Sequence, residues 1–176
     1  MSMVSSRPMS LHSIEFQELY ARHLCRHSQF GINVAHLLAL FGTWFGVYGF
    51  VYWLLRSEWA PVGLATWVPV GMAAAYLAAV AINVLVRVTV ATALFLAVFL
   101  MAVYWLPELP LWAYLLMIPV FYKLQAWSHK WFNVERDMTE FNKKYEKGLV
   151  LFIVLLFYEV PLVLNYLIFD RKSWAV

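Results

Sequence analysis

Charge is scarce in this sequence. Asp, Glu, Lys and Arg supply 13% of its 176 residues, about half the roughly 25% of an average soluble domain. Without that charge a soluble surface cannot be built, so an ordinary soluble enzyme is excluded, as are a disordered chain and a coiled coil. Cysteine is scarcer still. The single Cys25 rules out a disulfide framework within one chain, and no paired thiols suggest an iron–sulfur or zinc-thiolate site. There is no phosphate-cradling glycine loop, no nucleophile elbow and no aspartate-rich pair. The first 27 residues hold no apolar core of the kind a cleavable signal peptide needs. Insertion into a membrane would then fall to the first apolar helix.

What is present is apolar. Hydrophobic residues make up 64% and mean hydropathy is +0.70, more apolar surface than a chain of this size can hide from water. The surplus needs an apolar solvent, and the class is an integral membrane protein. Uncharged runs near the roughly 20 residues needed to cross hydrocarbon predict spans at 34–55, 59–86, 88–107 and 109–129. The run 148–169 is interrupted by Glu159 and is read either as a fifth span or as a re-entrant helix. Backbone groups in lipid must be satisfied internally, so the runs are helices. The absence of alternating ten-residue segments argues against a barrel. The fold class is all-α, a polytopic bundle of four to five spans forming one domain over 1–176. An amphipathic helix over 9–30, with Leu11, Ile14, Phe16, Leu19 and Leu24 among polar residues, is expected to lie at the interface. Gly42, Gly46 and Gly49 suit close helix packing.

Basic residues set the expected orientation. With the N-terminus in the cytoplasm and five spans, ten Lys and Arg fall inside and three outside. With a re-entrant last segment the split becomes twelve to one. The net charge of +3 therefore reflects inner loops facing anionic lipid, and no nucleic-acid partner is expected. The host membrane would be the endoplasmic reticulum in a eukaryote or the inner membrane in a bacterium.

Histidine marks the candidate chemistry. His23 and His27 are four apart and share a helix face. His36 lies just inside the first span and His129 at the cytoplasmic end of the fourth, so four of the five histidines sit at one membrane level. Neutral imidazoles can bind a metal there. They can equally be polar residues hydrogen-bonded to neighbouring helices. Glu159 is the one mid-span carboxylate, able to orient a histidine or to pair with Arg87.

The segment HSQFGINVAHLLALFG, with His27, Asn33 and His36, resembles the first motif of the membrane 2-hydroxy fatty acid dioxygenase family. QAWSHKWFNVERDMTEF, with Gln125, His129 and Phe132, is similar to the second, and Glu135 is the acid nearest the family's glutamate, whose own place Asn133 takes. LFYEVPLVLNYLIF, carrying Glu159, resembles the closing helix, so the likeness runs over residues 16–169. It implies an Fe(II)-dependent enzyme that uses O₂ to shorten a 2-hydroxy fatty acid by one carbon. It further implies His27, His36 and His129 as metal ligands with His23 as a fourth, and Asn33, Gln125 and Glu135 in support. Glu159 would orient a ligand, and Lys123 or Lys130 would meet the substrate carboxylate at headgroup level. Three other classes stay open: a haem- or quinone-binding electron carrier, a metal-free lipid enzyme using histidine as acid and base, and an adaptor that keeps the fold without the site.

Overall fold

The computed structural model describes residues 10–56, 60–61, 63–132, 137–145 and 147–174. Within them all regular structure is helical and no strand occurs. The order is α1 (Phe16–Arg26), α2 (Phe30–Leu55), α3 (Leu64–Ala81), α4 (Val86–Trp105), α5 (Leu111–Trp131), the short α6 (Thr139–Lys144) and α7 (Leu149–Leu164). α7 runs on into a π-helical stretch, Asn165–Phe169. Four segments are long and apolar enough to cross a membrane: Phe30–Leu55, Leu64–Ala81, Val86–Trp105 and Leu149–Phe169. The protein is an integral membrane protein with a polytopic all-α fold.

The expected span 109–129 falls outside those four. Its counterpart α5 has the length, but Lys123, Gln125, Ser128, His129 and Lys130 make its last third polar. Even so, α5 runs antiparallel to α2 along nearly all of α2. Gly49 and Gly46 meet Tyr114, Gly42 meets Phe121, and Gly31 meets Phe132. The glycines let the two backbones approach closely, which replaces the missing hydrophobic drive between helices in lipid. At Gly46 a Cβ would stand 2.8 Å from the Tyr114 carbonyl oxygen. At the far end of this pair Arg56 forms an ion pair with Glu108, and the Tyr104 hydroxyl donates to the Thr66 carbonyl at 2.7 Å.

α7 has the composition of a span and a different placement. Glu159 reaches His36 in the second turn of α2. The Tyr76 hydroxyl, near the end of α3, donates to the Phe157 carbonyl at 2.9 Å. The Tyr166 hydroxyl donates to the Ser28 carbonyl at 2.6 Å, and Arg87 at the start of α4 lies 5.2 Å from the Phe169 ring centre. His36, Ser28 and Arg87 lie toward the end of the bundle where α2 begins, while Tyr76 packs on Trp44 midway along α2. The aromatic core of the other half, built on Phe45, Tyr48, Phe99 and Tyr114, takes nothing from α7. α7 therefore packs against the half of the bundle nearer α1, reaching as far as Trp44 and Phe95.

α1 lies over the same end and is shorter than the expected 9–30. Its apolar face is turned to protein, not to lipid: Ile14, Phe16, Leu19 and Tyr20 are buried in one cluster with Val84, Val88, Val154 and Tyr158. Polar ties hold it there. Asn83 donates to the Ile14 carbonyl at 2.8 Å, the Tyr20 hydroxyl donates to Asp170 at 2.7 Å, and His12 bonds the Tyr158 hydroxyl at 3.1 Å. A histidine-bearing helix is thus clamped above the mouth of the bundle.

Candidate metal centre

Asn33 makes the elbow between α1 and α2. Its amide donates to the carbonyl of His27 at 2.6 Å, which the end of α1 leaves without a helical partner, and to that of Gln29, the N-cap of α2, at 2.9 Å. Its carbonyl oxygen faces His23 Nε2 at 2.8 Å. That oxygen can only accept, so His23 carries its proton on Nε2 and donates it. The elbow brings the His27 ring, at the end of α1, against His36 in α2, with centroids 4.4 Å apart. His129, from the last turn of α5, completes the group at 4.8 Å from His27 and 5.0 Å from His36. The three rings stand at 67° to 89° to one another, edge to face.

Their hydrogen bonds decide which nitrogens are available. His36 Nδ1 donates to Glu159 Oε1 at 2.8 Å, and Gln125 Nε2 donates to the same oxygen. His27 Nδ1 lies 3.3 Å from the His23 carbonyl oxygen. Both rings are therefore protonated on Nδ1 and turn an Nε2 lone pair inward. Both Nε2 atoms are buried and have no hydrogen-bond partner among the described residues. Buried acceptors left bare are costly in a folded protein, and a metal ion is one group that could satisfy them. Ligand nitrogens of His27, His36 and His129 lie within 4.8 Å of one another. Three nitrogens bound at roughly 2.1 Å to one ion stand about 3.0–3.6 Å apart, so the widest pair must close by somewhat more than an ångström to enclose an ion. The carboxylate–histidine arrangement at Glu159 and His36 fixes tautomer and ring orientation, as metal sites require. Burial holds His27 well below its ordinary value of 6.5, helped by the neighbouring imidazoles. It pushes His23 down to about 3, partly offset by the bond to Asn33. Neutral imidazole is the ligating form.

His27, His36 and His129 come together as one group, and Glu159, Gln125 and Asn33 contact its members. His23 does not join as a ligand through Nε2, because Asn33 holds that atom. Its ring instead stacks on His27 at 4.3 Å between centroids. Lys123 and Lys130 are exposed and line no part of the cavity beside the centre. Glu135 lies outside the described residues. Arg87, offered as a partner for Glu159, instead sits over Phe169.

The cavity, of about 270 Å³, lies between α1, the end of α5 and the first half of α7. The three histidines share it with two residues unremarked from sequence, Arg22 and Arg26. The signal for them was available: RHLCRH repeats Arg-His at a spacing of four, which sets two arginines beside two histidines on adjoining rows of one helix.

These features define a class: a polytopic helical membrane protein with a largely buried three-histidine cluster beneath a packed N-terminal helix. No family model matches the chain, and no curated protein or solved structure matches it either.

Proposed function

We propose that the protein is a membrane-embedded Fe(II)-dependent dioxygenase that shortens 2-hydroxy fatty acids by one carbon. The observation that carries the reading is the pair of buried, unpartnered Nε2 atoms on His27 and His36, joined by His129 around one point. The resemblance of the histidine, glutamine and glutamate motifs to the 2-hydroxy fatty acid dioxygenases supplies the choice of iron. Three imidazoles on one side leave coordination positions open, and bound Fe(II) would supply activation of O₂ there. Overall, a 2-hydroxy acid and O₂ yield the shortened acid, CO₂ and water. The substrate gives up all four electrons that O₂ takes, so no external reductant is needed.

The protein's own groups have definable tasks. Glu159 accepts the His36 Nδ1 proton and keeps the other nitrogen free, while Gln125 holds Glu159 in place. Asn33 sets the α1–α2 elbow that presents His27. The apolar lining from Phe152, Leu155 and Leu156 keeps water from the reacting carbon. Haem held between two of these histidines is disfavoured by the rings themselves. Centroids 4.4 to 5.0 Å apart leave no slot for a macrocycle between any two of them.

The test is turnover of purified protein loaded anaerobically with Fe(II) and given 2-hydroxypalmitate and air. The expected products are pentadecanoate and CO₂, with chelator abolishing both. Chelator-insensitive activity, or no product from protein of full iron content, would remove the dioxygenase reading.

The reading also places the α1 end at the cytoplasmic face, with four crossings by α2 to α5 and α7 lying in the plane of that leaflet. This arrangement gives the twelve-to-one split of basic residues. Cys25, the one thiol, then reports orientation. A membrane-impermeant maleimide should label it in inside-out vesicles and leave it untouched in right-side-out ones, and the opposite pattern would invert the topology.

A further inference from the structure

The centre explains the histidines but not the two arginines beside it. Arg22 and Arg26 are one turn apart on α1 and both face the cavity. The Nε of each is buried and without a hydrogen-bond partner among the described residues. Neither forms an ion pair with a described acid. Glu18, on the same helix, is taken by Lys144 and Tyr145, and Glu159 is taken by His36 and Gln125. Arg22 rests against the Phe141 ring, 5.4 Å from its centre, which supports its position without neutralising it. Two half-buried guanidinium groups, each with a buried Nε left bare and aimed into one cavity, are poised for an anion, which they can grip through paired N–H bonds.

The rest of the cavity describes the body attached to that anion. α5 packs on α2, α7 packs on α1, α2 and α4, and residues of both helices line the cavity. Tyr122 of α5, with Phe152 and Leu156 of α7, line the cavity there and are also half exposed on the outer face. In a membrane that face meets acyl chains. At about 270 Å³ the cavity falls below the usual range for ligand pockets, roughly 300–1,000 Å³, which suits one chain more than two.

We infer that Arg22 and Arg26 form a carboxylate-binding subsite that seats the headgroup of a single-chain acid entering sideways from the bilayer between α5 and α7. The inference rests on the metal-centre reading only for what the seated molecule lies beside. It replaces Lys123 and Lys130 as the carboxylate partners, and it makes the arginines specificity residues rather than metal ligands.

The experiment uses the full chain in detergent, with binding of 2-hydroxydecanoate, its primary amide and decyl phosphate measured by calorimetry. Metal content is measured by mass spectrometry on the same samples. Wild type should prefer the acid to the amide by roughly tenfold or more, since the amide cannot accept charge-assisted bonds. R22Q and R26Q should each weaken binding of the acid and leave binding of the amide and the metal content unchanged. R26K, which keeps the charge and the stem, should recover part of the preference if the glutamine variant proves unstable. An acid-to-amide ratio unmoved by any of the three substitutions would overturn the inference. So would tighter, arginine-dependent binding of decyl phosphate, which would assign the subsite to phosphate headgroups. Wild-type protein without metal, but with an arginine-dependent preference for the acid, would sink the metal centre and leave the subsite standing.

Discussion

His36→Ala is expected to give a protein that inserts and purifies like wild type and retains less than about a tenth of its metal. The imidazole is buried and loses its only free nitrogen to the centre, so its removal leaves two ligands where three are needed. The fold survives because the α2–α5 pair is held by helix packing around Gly42, Gly46 and Gly49 and not by the ion. Glu159→Gln should be milder and more informative. It retains an oxygen to accept the His36 Nδ1 proton but loses the charge that strengthens the ligand, and changes of this kind commonly weaken metal by about 10- to 100-fold. Leu38→Ala, at an exposed site half a turn from His36, should leave the metal in place. Metal analysis after size-exclusion chromatography separates the three outcomes. Full occupancy in His36→Ala would end the assignment of the centre.

The second large effect is structural. Gly46→Val should separate α2 from α5, because the new Cβ would meet a backbone carbonyl oxygen and not a movable side-chain tip. Overpacking in a well-filled core costs about 1–3 kcal/mol, and more when backbone must shift. α5 carries both Gln125 and His129, so the same substitution should lower metal content without touching a ligand. Gly71→Val is the matched control, since a Cβ there meets nothing within 4 Å. The check is the melting temperature in detergent alongside metal content. Equal melting points for the two variants would show that the glycine contacts do not hold the bundle.

The histidines were legible because their chemistry and their depth are both written in the chain. Runs of apolar residues locate the membrane level, and His36 and His129 fall at the ends of two such runs. Glu159 stood out for the same reason, as a carboxylate inside an apolar stretch. The assignment of Lys123 failed on helical phase. Gln125 and His129 are four apart and share a face, whereas Lys123 precedes Gln125 by two residues and so points to roughly the opposite side. That correction needed only the period of the helix. The fate of α1 and α7 did not follow from pattern. An apolar stripe buries against whatever apolar surface is nearest, and neither stripe says whether that surface is lipid or Val84 and Val154. His23 was misassigned because a four-residue spacing sets two rings side by side without saying what Asn33 offers one of them.

The centre draws on residues far apart in the order of synthesis. His27 and His36 leave the ribosome early, His129 much later, and Glu159 a further 30 residues on. Until then nothing fixes the His36 proton on Nδ1, and α7, which floors the cavity under α1, is not yet present. A nascent chain that has not yet reached Glu159 therefore has imidazoles but no finished socket, and on the proposed reading it would hold a metal ion poorly until α7 joins the bundle.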